Sequence, residues 1–204
     1  MIFSDKKSYG FHLGNPARKE LIMETKSPKI KTIDLVYIAL MAALMAICSW
    51  ISIPATIPFT LQTFAVFVAV GLLGGKRGTI SVFVYIMLGL VGIPVFAGFT
   101  ATAKLIGPTG GYIVGFLFSA LAMWLMEKLL GSKLWVLAVS SLIGLVICYA
   151  FGTVWFMILY AQNNSPITIG TALSWCVIPY IIPDVIKIVL AVIIAKTLRP
   201  IIKN

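Results

Sequence analysis

The sequence predicts an all-α integral membrane protein: a compact bundle of six transmembrane helices with both termini in the cytoplasm. Three observations carry this. Of the 204 residues, 60% are hydrophobic and only 11% charged, with mean hydropathy +1.05. A soluble domain runs nearer half apolar and about a quarter charged. Six apolar segments follow a polar start, and lysines and arginines gather in alternate connections between them. That alternation is the mark of loops kept on the cytoplasmic side.

Residues 1–31 are polar and basic, with Lys6, Lys7, Arg18, Lys19, Lys26, Lys29 and Lys31. They lack the apolar core of a secretory signal. They read as a basic cytoplasmic tail, partly disordered or vector-derived, with Met23 as a candidate start. Residues 32–200 form the single membrane domain. Its first segment runs from about Thr32 to Ile53 and stops at Pro54 and Pro58, which cannot continue a helix. The second runs from about Phe59 to Leu73 and ends at Gly74-Gly75. The third, Thr79 to Val91, is short. Gly110 to Leu129, Leu134 to Tyr160 and Thr171 to Leu198 complete the set. Helices are required because lipid offers no partner to open backbone. The runs are too long and too unalternating for barrel strands.

Charge gives the orientation. The connection after segment two carries Lys76 and Arg77, the turn after segment four Lys128 and Lys133, and the C-terminus Lys196, Arg199 and Lys203. With the tail these make fourteen cations on one side. Lys104 alone falls on the other, and Lys187 lies inside a segment. The formal charge of +10 therefore describes membrane topology and attraction to lipid headgroups, not nucleic acid. Cys48, Cys148 and Cys176 show no paired spacing and read as buried thiols. One histidine, His12, lies in the tail, which argues against a histidine-based metal site or triad.

Candidate site residues are the polar ones that apolar segments tolerate. In IIPDVIKIVLAVIIA (181–195), Asp184 and Lys187 lie three apart and share one helical face. A charge centred in lipid costs at least about 2.5–3.5 kcal/mol, so such residues face a cavity or each other. Either an internal ion pair locks the bundle, or the pair lines a polar pocket. PFTLQTF (58–64) supplies Thr60, Gln62 and Thr63, while Tyr85, Tyr112 and Tyr149 are further candidates. Residues 89–116 are rich in glycine and proline yet apolar, as expected of irregular backbone that lines a cavity. Within them, Gly110 and Gly111 of GPTGGY either let backbone approach a ligand or form a tight turn at a helix start. Lys104 precedes these glycines, and no G-x-x-x-x-G-K-[ST] occurs, so the chain shows no ATPase motif. In IALMAALMAI (38–47), Ala39 and Ala43, and Ala42 and Ala46, are spaced by four. They make a flat stripe for an internal helix or for a second membrane protein.

In order, PFTLQTF, GLLGGKRG, YIMLGLVGIPVF, GPTGGYIVGF and PYIIPDVIK resemble the BioY family, the biotin-binding S-components of energy-coupling factor (ECF) transporters. The resemblance spans about residues 35–200. It implies six helices, high-affinity capture of biotin from outside, and partners: a transmembrane coupling protein and two cytoplasmic ATPase subunits. It further implies a ligand, biotin, with no cofactor and no metal, and no catalytic residues. Asp184, Lys187, Tyr112, Gln62, Thr60, Lys104, Gly110 and Gly111 become the expected substrate contacts. Ala39, Ala42, Ala43 and Ala46 become the expected docking stripe. Biotin's ureido ring offers two N–H donors and a carbonyl, and its tail a carboxylate, so either Lys187 or Lys104 can meet the carboxylate. A solitary proton-coupled vitamin transporter using Asp184 is the alternative. A purely structural subunit and an intramembrane enzyme are weaker readings.

Overall fold

The computed structural model describes residues 31–55 and 57–202. The expected basic tail lies, but for Lys31, outside the described residues. Helix α1 (Thr32–Trp50) leads into a short antiparallel ribbon of β1 (Ser52–Ile53) and β2 (Phe59–Thr60), paired Ser52 to Thr60 and Ile53 to Phe59. Then follow α2 (Gln62–Leu73), α3 (Gly75–Leu90), α4 (Thr102–Ile106), α5 (Gly110–Leu130), α6 (Leu134–Asn163), α7 (Ile169–Cys176) and α8 (Ile178–Ile202). Four of these, α1, α5, α6 and α8, have the length and apolarity to cross a bilayer. A mostly helical membrane protein is the result.

Two features depart from the segments read in the sequence. The sixth apolar run is broken at Val177 (φ −126°, ψ −57°) into α7 and α8. Pro179 explains the break: its ring lacks an N–H and clashes with the carbonyl four residues back, so α7 cannot run through it. The stretch of prolines after α1, read as a plain stop, makes the β-ribbon instead.

Helix α2 is the centre of the molecule. Ten of its twelve residues are buried, among them Ala65, Val66, Phe67 and Ala69 at 2% exposure or less. It packs mainly against α8 and α3, and more lightly against α5. At 1.5 Å per residue it is about 18 Å long, short of the roughly 30 Å hydrocarbon core. Protein surrounds it, so its ends need not reach water through lipid.

The tightest helix pair is α5 with α6. Small residues permit this approach. A methyl group on Gly111 would fall 2.2 Å from Trp155 Cβ, and one on Gly152 would fall 2.2 Å from the Tyr112 ring. Between α3 and α4 the chain folds inward: Val95 and Phe96 are buried, and the Phe96 ring stands edge-on to Tyr85 at 5.3 Å. Here α1 is tied on, because Ser49 Oγ donates to the Val95 carbonyl at 2.6 Å and Trp50 Nε1 to that of Pro94 at 3.0 Å.

Candidate functional site

A cavity opens at the end of the bundle where α2 begins and where α8 carries its charges. It is walled by the β2 segment, the first turn of α2, α4, the start of α5, the middle of α6 and the first turns of α8. About 640 Å³ there is free of protein atoms, the open mouth included.

Asp184 and Lys187 sit one turn apart on α8 and are 3% and 5% exposed. Lys187 Nζ donates to Asp184 Oδ1 at 2.7 Å, to the Thr60 carbonyl at 2.7 Å and to Thr63 Oγ1 at 3.1 Å. These occupy all three donors of an ammonium. The same nitrogen lies 4.1 Å over the Phe59 ring, a further favourable contact for a cation. The Thr63 hydroxyl donates to Asp184 Oδ1 at 3.1 Å, and the Tyr149 hydroxyl to Oδ2 at 2.6 Å. A buried ion pair survives desolvation only when its remaining valences are satisfied in this way. The ribbon matters here, because it brings the Thr60 carbonyl and the Phe59 ring to α8.

Six of the eight expected substrate contacts meet in this cavity: Asp184, Lys187, Thr60, Gln62, Tyr112 and Lys104. Tyr112 is held by its hydroxyl on the Cys176 carbonyl at 3.3 Å. Lys104 comes from α4 and is partly exposed, with no hydrogen-bond or ion-pair partner for its ammonium among the described residues. Gly110 and Gly111 are buried nearby but do not line the cavity. A methyl on Gly110 would fall 1.9 Å from the Leu105 carbonyl oxygen, and Gly111 faces α6. Their smallness serves chain packing, with α4 folded back on α5 and α5 pressed to α6. The alanine stripe divides. Ala42 and Ala46 are buried in the core, whereas Ala39 and Ala43 are exposed.

Other lining residues went unmarked in the sequence. Tyr180 lies one turn before Asp184 on the same face of α8, and Phe59 precedes Thr60. Thr109, inside GPTGGY, also lines the cavity, and its buried Oγ1 has no hydrogen-bond partner among the described residues. Helical spacing from Asp184 could have pointed to Tyr180. Phe59 has no signal beyond its neighbours.

At the opposite end of the bundle a second set of charges meets. Arg199 donates from Nε to the Gly71 carbonyl and from Nη1 to that of Ser132, the latter at 2.6 Å. The Gly75 N–H donates to Glu127 Oε2. Arg77 and Asp34 pair at 3.2 Å.

With this geometry established, comparison with known proteins places the chain. Residues 23–204 match the model of the BioY family. The biotin transporter BioY of Thermotoga maritima is 40% identical over 168 residues, covering 81% of this chain and 95% of that protein. The probable biotin transporter BioY of Pyrococcus horikoshii is 38% identical, covering 84% and 98%. A crystal structure described as the S-component for biotin from an ECF-type ABC transporter superposes with TM-score 0.74 at 31% identity, covering 85% of this chain and 94% of that one. Matched over most of its length by sequence and by fold, the chain belongs to the BioY family.

Proposed function

We propose that this protein is a membrane-embedded biotin-binding subunit, which captures biotin from outside and delivers it to the cytoplasm together with an ATP-driven ECF module. One observation carries the reading. Within one cavity Lys187 spends all three of its donors on protein, Asp184 Oδ2 accepts from Tyr149 alone and keeps a lone pair open, and a second cation, Lys104, is free of partners among the described residues. A zwitterion-like split of this kind suits a ligand with a neutral polar head and an anionic tail. The ureido ring goes to the side of Asp184, Gln62 and Tyr112, and the valerate carboxylate to Lys104. Lys187 then holds Asp184 and β2 in place and need not surrender a bond to the carboxylate. Six crossings with both termini in the cytoplasm follow from the distribution of lysine and arginine and put the cavity on the outer half. The exposed Ala39 and Ala43 would face the transmembrane coupling protein, and hydrolysis would belong to the two ATPase subunits. Similarity to named biotin transporters supports the same reading.

Titration of biotin into the detergent-purified protein tests it, with Asp184→Asn and Lys104→Ala alongside. Binding by wild type, weakened in both folded variants, is the expected result. A folded wild type that takes up no biotin overturns the proposal. Proton-dependent uptake in vesicles without any ATPase would favour the solitary transporter.

A further inference from the structure

Behind the cavity wall, reached through Gln62, lies a second polar arrangement that does not involve the ion pair. Gln62 Nε2 donates to the Tyr85 hydroxyl at 2.7 Å, and that hydroxyl donates to the Val95 carbonyl at 3.0 Å. Ser49 Oγ reaches the same carbonyl at 2.6 Å. Gln62 is 5% exposed, and Tyr85 and Ser49 are 0%. A carbonyl oxygen only accepts, and the Tyr85 hydroxyl directs its one proton to Val95. The phenol oxygen can then only accept from Gln62. An amide has one face that donates and one that accepts, and at ordinary resolution the two are told apart by such partners. Here the NH₂ group faces Tyr85. Oε1 is left for the cavity that Gln62 lines, and it carries no hydrogen bond among the described residues.

We infer that Tyr85 is a positioning residue for ligand specificity: by fixing the amide of Gln62, it makes the cavity present a carbonyl oxygen and so demands an N–H or O–H from the ligand at that point. The Val95 carbonyl is the anchor of this polarity, and Ser49 holds that carbonyl from α1. With biotin as the ligand, an inference that rests on the functional reading above, the group recognised is a ureido N–H. Without the phenol, the amide of Gln62 can turn over and offer its NH₂ instead. Donor and acceptor ligands would then be treated more alike.

The test compares biotin with its two cyclic-carbamate analogues, in which one or the other ureido N–H is replaced by a ring oxygen. Shape is kept and one donor becomes an acceptor. Wild type should bind one of the two at least about tenfold more weakly than biotin, because two lone pairs then meet. In Tyr85→Phe that ratio should shrink several-fold. In Gln62→Met, which removes the amide at nearly constant length, it should vanish. A merely structural role for Tyr85 would lower affinity for all three ligands in parallel and leave the ratios alone. Unchanged ratios for both analogues in Tyr85→Phe, with biotin still bound, overturn the role of Tyr85 and leave the functional reading intact. If Tyr85→Phe does not fold, Gln62→Met decides: an unchanged ratio overturns the inference and a lost one supports it. A wild type that binds no biotin removes the functional reading and this ligand assignment together.

Discussion

The two ends of the bundle each gather opposite charges, and they use them differently. Away from the cavity, Arg199 and Glu127 meet backbone. Arg199 sits on the last carbonyls of α2 at Gly71, and Glu127 sits on the first N–H of α3 at Gly75. Both choices match the helix dipole, with a cation at a C-terminus and an anion at an N-terminus. They clamp the Gly74–Gly75 turn from two other helices. At the cavity, Asp184 and Lys187 meet side chains and one strand carbonyl around unfilled space, and Lys104 and the Gln62 carbonyl remain unused among the described residues. Charge in an apolar chain therefore does not mark a site by itself. What sets the cavity apart is a buried ion pair held by protein groups beside polar groups that are left open.

Mutations that treat the two ends alike should break this contrast. The largest effect is expected for Lys187→Ala, which strands the Asp184 carboxylate in the core: about 3–5 kcal/mol of stability. Thermal unfolding in detergent measures that loss. The double variant Asp184→Leu/Lys187→Met should recover most of the stability and none of the biotin binding. Recovery of both would make the pair a structural lock, like the far end. Next in size is Gly111→Ala, whose methyl meets Trp155 Cβ and the Phe151 carbonyl. Overpacking of this kind costs about 1–3 kcal/mol, and a variant as stable as wild type would show that α5 and α6 are not pressed together there.

Lys104→Ala sharpens the comparison from the other side. It should weaken biotin binding about 10- to 100-fold, as removal of a charged hydrogen-bond partner does, with an unchanged melting temperature. Calorimetric titration reads the first and a melt the second, and a variant with lower stability but intact affinity would reverse the assignment. Glu127→Gln should do the opposite: a loss of about 0.3–1 kcal/mol in stability and no change in affinity. The smallest effect is expected for Asp34→Asn. Its partner Arg77 is 44% exposed, so at most about 1 kcal/mol is at stake, and less at high salt.

Much of this was legible in the sequence because lipid makes polar residues conspicuous. Asp184, Lys187, Thr60 and Gln62 stood out against apolar neighbours, and all four reach the cavity. Residues whose role depends on three-dimensional approach were harder to read. Gly110 and Gly111 have the small size that either a ligand or a helix would need, and only the position of Leu105 and Trp155 separates the two. Ala42 and Ala46 look like Ala39 and Ala43 until the bundle shows which face is covered. Pro179 lies in an unbroken apolar run, so the end of α7 shows in backbone geometry and not in hydropathy. The direction of the Gln62 amide depends on Val95, thirty-three residues later, through a hydroxyl that no local pattern connects to it.

The shortness of α2 has a consequence for how the chain enters the membrane. A segment of twelve residues cannot rest across a bilayer alone, and its neighbour α3 has only sixteen. The two must be taken up as one hairpin about the Gly74–Gly75 turn, and until α8 arrives, more than a hundred residues later in synthesis, α2 lacks the wall it packs against most. Chains halted after α5 should leave Ala65 and Ala69, replaced by cysteine, open to a water-soluble thiol reagent that the finished protein excludes. Assembly of the cavity is in this sense the last event of biogenesis, since the helix that brings Asp184 is also the one that seals the centre.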